Sequence, residues 1–487
     1  MNFRAAVAVR SARTVTAILR LFRRGATTLP GRVAIRICPD IIRQLADGET
    51  MITVTGTNGK TTTTHMISEM LENRGFTVIT NVSGANLATG LASTLIEGLR
   101  IRKNARSSGK TVVHVLETDE AAFSKTAGSL MPRVAVVTNL FRDQLDRYGE
   151  LSHTQAFLSR GLDEAADARI LLNADDSLVA SLAKGRENRV IFFGMDEAAM
   201  TRNTVTKAGT TGLGATTSDA SYCQFCQTKY EYNARSFGHL GDFFCPSCGF
   251  SRTRPAFSVS YSEDNGEEGE LSLSDVGFPV TLRYQEEEAR IPLPIPGLHN
   301  FYNTLSAVAA VTLLGEILPG ESKLSFSDAA ASVSAVKPAF GRLEKIPVGD
   351  KSVCLLLVKN PVGLERALSF VSQAGDADGM YLLLNSNDAD GKDISWIWDV
   401  DFESRAYPDK IFVSGERYGD MYLRLAYAGI DRDRITACPM ELCGDLVDQA
   451  LSSCGEGKCL YILPNYTAML ALREILVKRY GMKPFWK

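Results

Sequence analysis

The chain has 487 residues, too many for one typical core, so two or three domains are expected. With 45% hydrophobic and 22% charged residues and a net charge of −3, it reads as an ordinary globular protein and gives no global electrostatic case for nucleic acid. No run reaches about 18 consecutive apolar residues, which excludes a transmembrane helix, and the ten cysteines show no secreted disulfide framework, so the cytoplasm is the expected compartment.

From Met1 to Pro39 there are eight arginines and no acidic residue. A helix here places Val7, Val15, Ile18, Leu19 and Phe22 toward one face and Arg10, Arg13, Arg20 and Arg24 toward another. Residues 1–40 are therefore expected to be a basic helical segment docked on the domain behind it. The same helix is compatible with contact to an anionic membrane surface. A cleavable transit peptide is the alternative.

The stretch Ile52-Thr-Val-Thr55-Gly56-Thr57-Asn58-Gly59-Lys60-Thr61-Thr62 carries the strongest chemical signal. A β-branched run ends in a glycine loop, and Lys-Thr-Thr opens a helix expected over Thr63–Arg74. Such a loop turns successive N–H groups inward at a helix N-terminus, which suits phosphate. Lys60 can reach the β- and γ-phosphates, and the Thr61 hydroxyl can sit on Mg²⁺. The strict pattern wants glycine where Val54 stands, but the strand before and the helix after support binding of a nucleoside triphosphate.

Strands are expected at Met51–Thr55, Thr77–Thr80, Thr111–Glu117, Val134–Thr138, Ile170–Asn173 and Val190–Phe193, separated by helices. This is a βαβ series with a mainly parallel sheet. Glu117-Thr-Asp-Glu120 ends the third of these strands, where a carboxylate beside a phosphate loop holds Mg²⁺ or its water; a helix-capping cluster is the alternative. Thr201–Gly214 is polar and reads as a boundary. Cys223-x2-Cys226 and Cys245-x2-Cys248 then have the spacing of a structural Zn²⁺ ribbon over about 215–260, with Phe225, Tyr230 and Phe244 packing around it. Four thiolates fill a tetrahedral shell and leave no place for substrate, and no basic face points to nucleic acid. Acidic, alternating short strands follow over 261–290, then a proline-rich connector and a helix over Asn300–Leu314. Past a second boundary near Ala335–Gly341, strands recur at Ser352–Val358, Met380–Leu384, Lys410–Val413, Ile435–Ala437 and Cys459–Leu463, a second, smaller α/β domain of doubly wound character.

Several motifs occur in the order found in one family. They are Thr55-Gly-Thr-Asn-Gly-Lys-Thr-Thr62, Thr138-Asn139 with Asp146-Arg147, Gly297-Leu-His-Asn300 with Asn303, and Gly341-Arg342-x-Glu344. In these the chain resembles the Mur ligases, ATP-dependent amide-bond formers of peptidoglycan synthesis. The segments Asn387-Asp-Ala-Asp-Gly391-x-Asp393-x-Ser395-Trp-Ile-Trp-Asp399 and Leu463-Pro-Asn-Tyr-Thr-Ala468 add a likeness to one branch, the synthetase subunits of lipid II isoglutaminyl synthase. The four-cysteine insert agrees with that branch, and no N-terminal UDP-sugar domain is expected. The resemblance covers roughly residues 30–480. It implies an α/β fold with a central P-loop ATPase domain over 41–335, an inserted four-cysteine zinc ribbon, and a Rossmann-like C-terminal domain over 336–487.

The resemblance also implies roles. ATP would lie on Gly56, Thr57, Asn58, Gly59, Lys60, Thr61 and Thr62, with Mg²⁺ on Thr61 and Glu117. Asn300 and Asn303 would line the adenine pocket, and Arg342 would touch the γ-phosphate from the domain hinge. A carboxylate of the lipid II stem peptide, the D-isoglutamate α-carboxylate, would attack ATP, and ammonia would convert the acyl phosphate to an amide. Three departures from the amino-acid-adding members stand out. Gln144 replaces a metal-binding His, Leu145–Glu164 holds no lysine, and Lys359-Asn360-Pro361 replaces a His-x-Pro segment. No cysteine sits in a Gly-x-Cys-x-Gly elbow, so the chain is expected to lack its own glutaminase. The resemblance supplies a GatD-type class I glutaminase as partner, whose Cys–His pair Asp399 would complete, with Asp393 as second candidate. Loop capping beside a buried tryptophan pair is the bland reading of both aspartates. Two other functions compete: a folylpolyglutamate-synthase-like amino-acid ligase, and a P-loop regulatory module using its ribbon to contact protein or RNA.

Overall fold

The computed structural model describes residues 2–21, 27–81, 85–142, 151–197, 199–200, 219–261, 277–318, 324–336 and 342–481, with the backbone alone at Arg342 and Leu343. The chain divides into two units, the first built from 1–140, 151–206 and 220–337, the second from 141–150, 207–219 and 338–487.

The first unit opens with three helices, α1 (Phe3–Leu21), α2 (Leu29–Ile37) and α3 (Ile41–Ala46). An alternating series follows: β1 (Thr50–Thr55), α4 (Lys60–Asn73), β2 (Thr77–Thr80), α5 (Ala88–Ser107), β3 (Val112–Glu117), α6 (Glu120–Leu130), β4 (Val134–Val137), α7 (Leu151–Glu164), β5 (Arg169–Asn173) and β6 (Val190–Met195). The insert contributes the antiparallel pair β7 (Glu231–Phe237) and β8 (Leu240–Phe244). Then come β9 (Phe257–Ser260), β10 (Pro279–Tyr284), β11 (Glu287–Pro292), α8 (Leu298–Ile317) and α9 (Phe326–Ser332).

The main sheet runs β11-β10-β9-β6-β5-β4-β1-β3-β2. It is parallel from β2 to β9, with β10 and β11 antiparallel at its edge. Its central strands are covered on both faces, so Met51, Ile52, Val54, Val113, Val115, Leu116 and Val134–Val137 are all buried. That is why they read as continuous apolar runs rather than alternating ones. Ile52 pairs with Val115 on one side and Val134 on the other, so the C-terminal end of β1 opens at the point where strand order reverses. Ligands in open α/β sheets bind at such a point.

The second unit has β12 (Arg342–Val348), β13 (Lys351–Leu356), α10 (Pro361–Gln373), β14 (Ala377–Leu383), β15 (Ile411–Ser414), α11 (Tyr418–Tyr427), β16 (Ile435–Ala437), α12 (Cys443–Ser453), β17 (Cys459–Pro464) and α13 (Tyr466–Tyr480). Its order is β12-β13-β17-β14-β15-β16, parallel except for the β12/β13 hairpin.

Three local expectations are corrected. The helix after the phosphate loop begins at Lys60, not Thr63, because Gly59 in the left-handed region caps it. Helix α1 docks through Ala5, Ala8, Val9, Ala12 and Thr16 rather than the larger apolar residues; small side chains let helices approach closely, while Val7 and Ile18 stay exposed. The ribbon packs on Phe243, which is fully buried, and on Phe250, not on Phe244. No helix among the described residues is long and apolar enough to cross a membrane. Thr201–Gly214, Asp146, Arg147, Gln144 and Gly341 lie outside the described residues.

Candidate active site

The phosphate loop hangs between β1 and α4. Gly56 and Gly59 hold φ of +117° and +86°, the region that favours glycine. A Cβ at Gly59 would fall 2.2 Å from Asn303 Oδ1, and one at Gly56 2.5 Å from Thr138 Oγ1. Both positions are therefore closed to side chains, and the loop is a backbone cradle. It is laced to the end of β4: the Thr57 amide donates to the Asn139 carbonyl (2.8 Å) and the Asn58 amide to Asn139 Oδ1 (2.9 Å). Thr138 Oγ1 and Asn139 Nδ2 in turn donate to the Asn58 carbonyl at 2.8 and 3.0 Å.

Two carboxylates, Glu117 at the end of β3 and Glu120 at the start of α6, face the loop. The Thr61 hydroxyl donates to Glu117 Oε2 at 2.7 Å, which puts both oxygens where one small cation can be shared. Glu117 is buried; its other oxygen accepts from Asn86 Nδ2 (3.2 Å), Asn81 Nδ2 donates to its carbonyl, and its amide donates to Asn81 Oδ1. Glu120 lies 3.1 Å from Lys60 Nζ. Burial pushes the Glu120 carboxyl above its ordinary value, and the Lys60 ammonium opposes this. Lys60 also donates to the Gly56 carbonyl. Asp119 is the helix cap, accepting from the Ala121 and Ala122 amides. Asp119 of the acidic run thus takes the capping role, while the two glutamates face the phosphate loop.

Asn300 and Asn303 are buried at the start of α8. Asn303 Nδ2 donates to Asn300 Oδ1 (2.9 Å), and Asn300 Nδ2 donates to the Pro296 carbonyl (2.7 Å). Asn303 sits against Gly59, and Ser306 meets Thr63 of α4 at 3.4 Å, so this helix backs the phosphate loop. Arg342 begins β12, and its side chain lies outside the described residues.

The four cysteine sulfurs lie within 4.8 Å of one another. Cys223 and Cys248 are 3.5 Å apart, Cys226 and Cys245 3.4 Å. Zn–S bonds of about 2.3 Å in a tetrahedron set S···S near 3.8 Å, so the set fits Zn²⁺ after small shifts. Both knuckles turn through a positive φ, at Gln227 (60°) and Gly249 (77°). Hydrogen bonds from Thr228 lower the Cys226 thiol to about 6, toward the thiolate that a metal needs.

A buried polar network beneath the ribbon has no sequence signal. Arg252 Nε donates to Asp175 Oδ1 at 2.7 Å, and Tyr302 of α8 donates its hydroxyl proton to Asp175 Oδ2 at 2.8 Å. The Met195 amide also donates to Oδ2 (2.8 Å). Next to it, His239 Nε2 stands 3.1 Å from Asp176 Oδ1. Burial pushes the Asp175 carboxyl up, with Arg252 opposing. Tyr302 is the neighbour of Asn303, so the ribbon is tied to the helix that backs the phosphate loop.

In the second unit, Asp399 ends the short helical turn Ser395–Asp399 with its carboxylate about half exposed, 4.0 Å from Arg142 of the same unit. Asp393 precedes that turn and accepts from the Ser395 amide at 2.8 Å; hydrogen bonding with the Ser395 side chain, and then with its amide, holds the carboxyl below its ordinary value. The tryptophans are not a buried pair. Trp396 is half-buried, and Trp398 is 50% exposed, packed edge-on against Tyr427 at 5.6 Å. The reason is that Ile397 alone of this turn points into the core. Asp390, a motif residue that sequence reasoning passes over, is held by the Thr467 amide at 2.8 Å.

A phosphate loop at a strand-order reversal, with a carboxylate–threonine pair and a second α/β unit, defines an ATP-dependent ligase of the Mur type. Comparison with known proteins agrees. The Mur ligase middle domain matches residues 54–240 and the MurT ligase C-terminal domain residues 357–469. The MurT subunit of lipid II isoglutaminyl synthase from Streptococcus pneumoniae is 32% identical over 98% of both chains. Its Staphylococcus aureus (strain COL) counterpart is 29% identical over 93% of both. Among solved structures, a pseudomurein peptide ligase type C from Methanothermus fervidus shares the fold, with a TM-score of 0.63, 20% identity and coverage of 90% of this chain and 81% of that one. MurF from Acinetobacter baumannii does likewise, with a TM-score of 0.62, 15% identity and coverage of 93% and 81%. The chain belongs to the MurT family of Mur ligases.

Proposed function

We propose that this chain is the synthetase subunit of a glutamine-dependent enzyme that amidates the D-isoglutamate α-carboxylate of the lipid II stem peptide. One observation carries the reading: the phosphate loop with its Thr61–Glu117 pair is intact in a chain that matches isoglutaminyl synthase subunits over nearly its whole length. In the proposed reaction a carboxylate oxygen attacks the γ-phosphorus of ATP, ADP leaves, and an acyl phosphate forms. Ammonia then adds to the acyl carbon, phosphate leaves, and loss of a proton gives the amide.

The chain's part is positioning and charge compensation, because two anions must meet and negative charge builds on the transferring group. Loop amides and the N-terminus of α4 bind phosphate oxygens. Lys60 gives up Glu120 and the Gly56 carbonyl to meet them, which leaves Glu120 to take a proton or a water. Mg²⁺ held through Thr61 and Glu117 supplies Lewis-acid polarisation of the phosphoryl oxygens. Asn300 and Asn303 are assigned to the nucleotide, and Arg342 is given the γ-phosphate on the resemblance alone. Cys223, Cys226, Cys245 and Cys248 hold Zn²⁺ as a structural ion.

Nitrogen is assigned to a GatD-type glutaminase partner. Asp399, accessible and beside the exposed Trp398 and Tyr427, is the residue offered to that partner's imidazole. Asp393 is left holding the Ser395 amide. The proposed domains are a basic helical segment (1–40), the ATP-binding domain (41–335, ribbon 215–260) and the C-terminal domain (336–487). The enzyme works in the cytoplasm, peripheral to the inner face of the membrane that carries its substrate. Co-expression with the candidate glutaminase followed by mass analysis of lipid II tests the reading; replacement of a carboxylate hydroxyl by an amino group is the expected change.

A further inference from the structure

Helix α1 turns its small-residue face onto α2 and α5 and leaves large apolar side chains outside. Phe3 is 86% exposed, Leu21 80%, Ile18 50% and Val7 37%. At 3.6 residues per turn these four fall within roughly 60° of one another, one ridge along a helix about 28 Å long. Arg10 lies on this ridge and Arg13 beside it, both exposed and without an ion-pair partner among the described residues. Water-facing helices show the opposite arrangement, with apolar residues inward and polar ones outward.

An occupant must satisfy both the apolar ridge and its charge. Residues 1–39 carry eight arginines and no acid, so the complement is a surface that is apolar within and negative at its edge. A second copy meeting the ridge across a two-fold axis would set arginines against arginines. A phospholipid layer meets both demands: the apolar side chains enter the acyl boundary and the guanidinium groups pair with phosphate. We propose that this outer face of α1 binds an anionic phospholipid surface, with the helix axis in the membrane plane. The proposal deepens the membrane-surface location given above and rests on α1, not on the amidation chemistry.

The test is co-sedimentation of the full chain, with its glutaminase partner, on vesicles of phosphatidylglycerol mixed with phosphatidylcholine and on phosphatidylcholine alone. Binding to the anionic vesicles is expected to exceed binding to the neutral ones by about tenfold or more, and to weaken with salt. Phe3→Asp/Leu21→Asp should lose about tenfold in binding while melting as wild type does, because neither side chain is buried. Arg10→Glu/Arg13→Glu should lose the preference for anionic lipid. Amidation of a water-soluble muropeptide by the Phe3→Asp/Leu21→Asp variant should be unchanged. Vesicle binding by a chain that amidates nothing would sink the amidation reading and leave this one standing. Equal sedimentation with both vesicles, unchanged binding by the aspartate variant, or self-association that this variant abolishes would each overturn the proposal.

Discussion

Replacing Arg252 with methionine removes the one cation from the buried carboxylate that ties the ribbon to the nucleotide-side helix. Asp175 and Arg252 are nearly inaccessible, with side-chain exposures of 0% and 2%. Among the described residues, the Asp175 carboxylate keeps the Tyr302 hydroxyl and the Met195 amide in the variant. Breaking a buried pair by removing one partner leaves an uncompensated charge and costs about 3–5 kcal/mol. Whole-domain stability is only about 5–15 kcal/mol, so the first unit should lose a large part of its margin. Trp396, Trp398 and Trp486 all belong to the second unit. Denaturant unfolding followed by tryptophan fluorescence should therefore be unchanged, while the far-ultraviolet circular dichroism transition of the first unit moves to lower denaturant. The double variant Asp175→Leu/Arg252→Met, which removes both charges, should recover at least about 2 kcal/mol of the sum of the single losses. Tyr302 adjoins Asn303, so ADP affinity should also fall by about 1 kcal/mol, severalfold in Kd. An Arg252→Met variant within about 0.5 kcal/mol of wild type, with normal ADP affinity, would refute the clamp.

Three other outcomes are expected. Purified protein should hold about one Zn²⁺ per chain, and Cys226→Ser should lower zinc content and melting temperature more than turnover per folded molecule; metal-free native protein would contradict the ribbon. Asp399→Asn should suppress glutamine-dependent amidation and spare amidation with high ammonium, because it keeps the volume and removes the charge that favours the partner's imidazolium; equal loss with both donors would place Asp399 elsewhere. Burial pushes Glu49 up, but His114 at 3.5 Å and the Arg102 and Arg106 guanidiniums outweigh it and hold the carboxyl below its ordinary value. Its contribution to stability is thus present above the ordinary value and lost as pH falls through the lowered one. Glu49→Gln should therefore lower the melting temperature on the neutral plateau and leave it nearly unchanged in acid, which flattens the acid limb.

The parts of the molecule legible in the sequence are those whose physics is local. Buried parallel strands show as apolar runs, and Ile435–Ala437 and Thr77–Thr80 are found residue for residue. A phosphate cradle needs glycines at positions fixed by positive φ, and a tetrathiolate site needs two close cysteine pairs. What stays hidden joins residues distant in the chain. Asn139 reaches Asn58 across 81 positions, Glu120 reaches Lys60 across 60, and Tyr302 reaches Asp175 across 127. None of these leaves a spacing to read. The orientation of α1 escapes a hydrophobicity pattern because such a pattern ranks valine and isoleucine above alanine, whereas close helix packing selects the small residues. Size alone places Trp398 inside; the turn that carries it buries Ile397 instead.

The phosphate loop as the engine of amidation is tested most directly on lipid II itself. Lipid II incubated with ATP, Mg²⁺, ammonium and either wild-type chain or Lys60→Ala, both with partner glutaminase, is read by mass spectrometry. Wild type should convert the stem-peptide carboxylate to the amide, and Lys60→Ala, folded and zinc-loaded, should be slower by about 10²-fold or more because phosphate positioning supplies much of the barrier reduction. Equal conversion by a well-folded Lys60→Ala protein would contradict it.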